Sequence, residues 1–244
     1  MNPLLGTINN PYTLPGWEDW NIVDSLSKEL ALPVWLENDA DVAGLGEYHY
    51  GAAQGASRMV MLTVGTGVGG AVILNGGIYR GSGGEHPELG HMHVANDGPP
   101  CYCGRNGCLE SFISGTAIAA AGKAYGFADA SSVFAAAPES SEARSILAAA
   151  GTAIEAATWT LLHAFLPDRI VLGGGLAESQ MEFFLNNAKT SLNRAKLFEQ
   201  DRVTITGAQL GNLAGLIGAA YLALNGIGRE AMPVASHNPA VRPN

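Results

Sequence analysis

All three cysteines of the 244-residue chain, Cys101, Cys103 and Cys108, fall within eight positions, and His91 precedes the first by ten. The segment around them, GEHPELGHMHVANDGPPCYCGRNGCLE (84–110), is dense in Gly, Pro and Asn and reads as loop. Free cysteines prefer burial, so three of them in a turn-rich loop need a shared role. C-x-C-x4-C, with Gly104 and Gly107 supplying turns, lets the backbone fold around a point. Three thiolates and one imidazole form the ligand set of a closed, tetrahedral, structural zinc site. His91 is the expected fourth ligand, with His86 and His93 as competitors. An odd cysteine count at such tight spacing does not fit a secreted disulfide framework.

Around this loop, short apolar runs alternate with segments of helical period. Helices are expected at 21–32 (Asn21 as N-cap), 39–50, 109–125, 142–165, near 181–192 and at 213–224. Within the fourth, Leu147, Ala150, Ile154, Leu161 and Phe165 fall on one face. Strands are expected at PVWLEN (33–38, fully buried), 57–64, 69–74, 169–175 and 203–206. Residues 1–20 read as an extended entry, and the Pro-containing tail after Arg229 as partly disordered. Alternating strands and helices give an α/β class. A net charge of −9 argues against a nucleic-acid surface. The start of the chain has neither the basic residues nor the apolar core of a signal peptide, and the apolar run 213–224 is too short to span a bilayer. A soluble cytoplasmic protein with no membrane partner is expected.

Two glycine turns follow strands. In TVGTGVGG (63–70), Gly65, Thr66, Gly67, Gly69 and Gly70 can expose successive backbone N–H groups to a phosphate without obstruction by Cβ atoms. Gly173, Gly174 and Gly175 of IVLGGGLAE make a second such turn. Each alone is equally well read as a plain turn. In LENDAD (36–41), Asn38 and Asp39 stand where the expected strand meets a helix. Asp39 there is either a general base for a substrate hydroxyl or simply a helix cap.

ENDAD, GTGVGG, ELGHM, CYCGRNGCLE, IVLGGGLAE and LGNLAGLIGAA stand in the order and spacing of the ROK family of sugar kinases and related repressors, and the resemblance runs from about Gly6 to Ala223. It implies an actin-like ATPase (ribonuclease H-like) fold and phosphoryl transfer from ATP, with Mg²⁺, to a hexose or N-acetylhexosamine. It also implies a set of roles. Asp39 is the catalytic base, and Asn38, Glu88, His91 and Glu110 bind the sugar. The two glycine turns hold the nucleotide. His91 with Cys101, Cys103 and Cys108 binds zinc, which clamps the sugar-reading residues. Assembly into a homodimer or homotetramer is common in the family.

Family kinases begin with a D-x-G-G-T phosphate loop that the 244 residues do not contain. The resulting expectation is a small-lobe remnant at 1–43, a nearly complete sugar- and zinc-binding lobe at 44–228, a tail at 229–244, and little or no turnover by this chain alone. HPE (86–88) resembles the fructokinases of the family, whereas CYCGRNGC looks more like its glucose or N-acetylhexosamine kinases. The alternatives are a sugar-sensing repressor whose helix-turn-helix is missing, and an inactive sugar-binding relic.

Overall fold

Arg58–Val64 (β1) is apolar everywhere except Arg58 and Thr63, as suits a strand covered on both faces. In the computed structural model, which describes residues 3, 5–8, 14–18, 20–197 and 199–226, it lies at the centre of a five-stranded sheet of order β3-β2-β1-β4-β5. Val68–Leu74 (β2) runs antiparallel to β1, and Gly77–Ile78 (β3) extends that edge. Arg169–Gly173 (β4) and Thr204–Gly207 (β5) run parallel on the other side. The carboxyl ends of β1, β4 and β5 therefore share one rim, where open α/β sheets bind ligands.

The helices are Ile22–Leu30 (α1), Asp39–Tyr50 (α2), Glu110–Ile113 (α3), Gly115–Lys123 (α4), Ala130–Ala136 (α5), Ser141–Phe165 (α6), Gly175–Ser179 (α7), Met181–Arg194 (α8) and Ala214–Asn225 (α9). The two faces of β1 divide the core. Val60, Leu62 and Val64 pack with Ile154, Leu161 and Leu162 of α6, Phe184 and Leu192 of α8, and Ile113 of α3. Met59 and Met61 face Val42 and Leu45 of α2 and Leu222 of α9. Burying each such side chain contributes about 1.5–3 kcal/mol. By length and composition α6 could cross a membrane, but its Leu147, Ile154, Leu161 and Leu162 are buried within the protein.

The expected helices and strands are present with four differences. Residues 33–38 form no strand: they pair with neither sheet edge, and Pro33 and Trp35 are exposed. The helix expected at 109–125 is broken at Ser114, which takes extended backbone and caps α4 by accepting from Ala117 N–H. The short elements β3, α5 and α7 have no counterpart in the expectation. Finally, α1 ends at Leu30 and buries no residue, although Asn21 caps it as foreseen. The tail after Arg229 lies outside the described residues.

Candidate active site and metal centre

The first turn of α2 distributes its polar groups by a capping rule. Asn38, in extended backbone, is the N-cap: its Oδ1 accepts from Ala40 N–H at 2.9 Å and Asp41 N–H at 3.1 Å. Asp39 is thereby released from the capping duty that was its alternative reading. It stands exposed, with Oδ1 accepting from Ala40 N–H. Behind it, Asp41 is fully buried and neither oxygen has a hydrogen-bond partner among the described residues. Burial first, then the neighbouring Glu37 charge, pushes its carboxyl up to about 7; Arg80, with an Nη1 4.0 Å away, pulls the other way. Arg80 also donates to the nearly buried Glu37, whose other oxygen accepts from Asn38 N–H. The segment after β3 is thus tied to the root of α2.

The same segment ties in a second time through His86. Its Nε2 lies 3.3 Å from Asn38 Nδ2 and 3.2 Å from Glu88 Oε1. His86 is therefore engaged away from the thiols. His93 is exposed, and its backbone bridges that of Cys108.

His91 is the histidine that joins the cysteines. Its Nδ1 lies 3.3 Å from Cys101 Sγ, Cys103 and Cys108 Sγ are 3.5 Å apart, and all four ligand atoms lie within 4.8 Å of one another. Tetrahedral zinc with Zn–S bonds near 2.3 Å needs sulfurs about 3.8 Å apart, so the close Cys103–Cys108 pair need only open slightly and the wider separations, none above 4.8 Å, need only close modestly. Burial pushes the Cys108 thiol up to about 12, so without a cation it stays protonated. The residues fit zinc. On the far side of the ring, His91 Nε2 meets Tyr102 Oη at 3.0 Å. Burial, then Glu110 and Glu88, then the Cys101 and Cys103 sulfurs push the Tyr102 phenol up to about 12, so it remains neutral among them.

Glu110 opens α3 two residues past Cys108, and its Oε2 accepts from Val68 N–H at 2.7 Å. It thus links the cysteine loop to the turn between β1 and β2. That turn is fastened again from α4, where Gly115 N–H donates to Gly65 O and the Thr116 hydroxyl to Thr66 O.

Gly65, Thr66 and Gly175 line one cavity of about 620 Å³, together with Thr116, Asp129 and Ser131. Gly174 lines a second of about 190 Å³ with Asp39, Thr63, Glu178 and Asn212. The glycine run thus lies between the two spaces. Only glycine suits position 174: its φ is +89°, and a Cβ would sit 2.6 Å from Val64 N. Gly69, Gly70 and Gly173 belong to β2 and β4, with Gly70 and Gly173 buried, and line neither cavity. Gly67 sits beside Glu110.

Sequence reasoning passed over Arg80, Glu37, Asp41, Glu178, Asn212, Thr116, Asp129 and the buried Glu47. Glu47 accepts from Ala52, Gln209 and Leu210 N–H groups and so fixes the loop after β5 that lines the smaller cavity. Most of these are single polar residues with no motif spacing. The charge-dense ENDAD string was the one signal available for Glu37 and Asp41.

The family profile described as "ROK family" matches residues 2–225. A glucokinase from Halalkalibacterium halodurans is 36% identical over 226 residues, covering 85% of this chain and 68% of the relative. An N-acetylmannosamine kinase from Citrobacter koseri is 35% identical over 218 residues, covering 88% of this chain and 73% of the relative. A glucokinase from Thermotoga maritima is spanned over 60% of its length. Among solved structures, the ROK hexokinase from Thermus thermophilus superposes with a TM-score of 0.80 at 35% identity, covering 92% of this chain and 76% of that one. The architecture is that of these actin-like ATPase-fold kinases.

Proposed function

The chain belongs to the ROK family, and from that premise we propose that its site serves ATP-dependent phosphorylation of a hexose or N-acetylhexosamine. The observation that carries the reading is the convergence at one rim of the sheet. There Asp39 lines a cavity adjoining the glycine run 173–175, while Glu110 joins the cysteine loop to the GTGVGG turn.

In this reading Asp39 accepts the proton of the attacking sugar hydroxyl; its Oδ1 is held by the backbone, and its Oδ2 has no hydrogen bond among the described residues. Asn38, Glu88, His91 and Glu110 pair the remaining hydroxyls, which would otherwise be buried unsatisfied. The glycine turns present backbone N–H groups to the phosphates, and the larger cavity takes the nucleoside. ATP brings Mg²⁺, which neutralises phosphate charge, so that positioning supplies most of the rate. Zinc, held by His91, Cys101, Cys103 and Cys108, cross-links a loop that has little regular structure. A sugar-sensing repressor would need the sugar and metal residues but neither the exposed Asp39 nor the glycine-lined cavities, which favour the kinase.

Calorimetry of the chain with glucose and with N-acetylmannosamine tests the sugar half; failure of both to bind folded protein sinks it. For the catalytic half, the chain is joined to the D-x-G-G-T segment of a glucokinase relative and Asp39 is changed to Asn. Sugar affinity should persist while turnover falls about a hundredfold to ten-thousandfold. Turnover within a few-fold of the parent would refute Asp39 as base.

A further inference from the structure

His86 Nε2 faces two partners whose demands conflict. The Asn38 amide cannot turn over, because its Oδ1 is committed to the Ala40 and Asp41 N–H groups, so Nδ2 is the atom that points at His86. A donor therefore approaches Nε2 from one side at 3.3 Å and the Glu88 carboxylate, an acceptor, from the other at 3.2 Å. One ring nitrogen is a donor or an acceptor, never both at once. With a proton on Nε2, His86 donates to Glu88 and leaves the Asn38 amide free. Without it, His86 accepts from Asn38, and its lone pair repels Glu88.

We propose that His86 is a positioning residue of the acceptor site whose Nε2 proton sets what the site presents to a ligand. When the proton is present, the Asn38 amide is free to donate to a sugar hydroxyl and Glu88 is held in place with one oxygen still available. This rests on the reading of the site as a sugar site. His86 is suited to the role by its partial burial, with 17% of its side chain exposed. The charged groups acting on it among the described residues are Glu88, from its own segment, and Asp41 of α2, itself beside Arg80 and Glu37. The Glu88 hydrogen bond raises the His86 pKa above the ordinary histidine value, burial opposes it, and Glu88 in turn is held below the usual carboxylate range. The imidazolium always carries the Nε2 proton, and the proposal has the neutral ring hold its proton on Nδ1 and accept from Asn38 at Nε2, so the sugar-competent form is lost as pH rises through the raised value. By linkage, a bound sugar raises that value further.

The test has two arms. In sugar-free protein, imidazole ¹⁵N NMR across pH, with the His86 signal assigned by its loss in His86→Gln, should show a raised midpoint that falls in Glu88→Gln. In calorimetry, glucose and N-acetylmannosamine affinity should weaken roughly three- to tenfold between about pH 6 and about pH 9, the worth of one hydrogen bond. The slope should vanish in His86→Gln, which can bond but not titrate, and persist in Asp41→Asn. Affinity that does not vary with pH, or a slope surviving in His86→Gln, overturns the proposal. If neither sugar binds at any pH, the sugar reading falls instead, and the NMR arm decides the proton exchange alone: a midpoint unmoved in Glu88→Gln overturns it.

Discussion

Replacing Asp41 by Asn should make the protein insensitive to one large source of destabilisation as pH rises from about 4 to about 7. Asp41 is fully buried, its oxygens have no hydrogen-bond partner among the described residues, and its carboxyl is pushed from 3.8 to about 7. An acid whose pKa is raised on folding holds a proton that the unfolded chain has already lost. Stability therefore falls as pH climbs from the unfolded value to the folded one and is level beyond it. At pH 5 the native carboxyl is neutral while the unfolded one is already largely ionised, so Asp41→Asn, a near-isosteric replacement, should already lead wild type by between about 1 and about 2 kcal/mol. Between pH 5 and pH 7 the wild type gives up about 1.4 kcal/mol per unit, roughly 3 kcal/mol in all. The lead of Asp41→Asn over wild type should therefore grow by about that amount between pH 5 and pH 8. Urea unfolding of both proteins at the two pH values measures the difference of differences, in which His86 and every other shared titration largely cancels. A gain at pH 8 below about 0.7 kcal/mol relative to pH 5 would mean that Arg80 neutralises Asp41 far better than its 4.0 Å separation suggests, and the reasoning would fail.

Two further outcomes follow from the metal loop and the glycine run. Purified protein should carry one zinc per chain; its removal by a chelator should speed backbone exchange across residues 92–110 far more than across 80–88, which Arg80 and His86 hold independently. Metal content well below one per chain after reduction and reloading would refute the site. Gly174→Ala should cost at least about 2 kcal/mol in urea unfolding, since its Cβ would meet the Val64 backbone at a φ of +89°. A cost under 0.5 kcal/mol would show that the strand end can move.

The bounds of α2, α6, α8, α9, β1 and β2 were legible to within a residue or two. The failures have particular causes. PVWLEN has the composition of a buried strand, but a strand also needs a neighbour, and residues 33–38 find none in the sheet. The break at Ser114 was written in the sequence as Ser-Gly within an otherwise helical stretch. A serine that caps and one that tolerates a helix interior look alike until the backbone shows extended dihedrals.

The candidate site divides along the same line. Metal ligands were readable because zinc demands soft ligands converging on one point, and a loop can meet that demand only with tight spacing and glycines. Asp39 was readable as a polar residue at a helix start but not as the uncommitted one. Which of Asn38 and Asp39 caps α2 depends on a one-residue shift in where the helix begins. That shift has consequences beyond the cap. It pins the Asn38 amide, the pinned amide points its N–H at His86, and His86 is left between a donor and an acceptor that it cannot satisfy together. Arg80 and His86 lie more than forty residues from Glu37 and Asn38, on a segment with almost no regular structure, so no local pattern announces them. Their roles emerge only when the ion pair to Glu37 and the contact to Asn38 place both on the same helix end. The chemistry of this site is therefore set by the N-terminal turn of α2 as much as by the motifs around it.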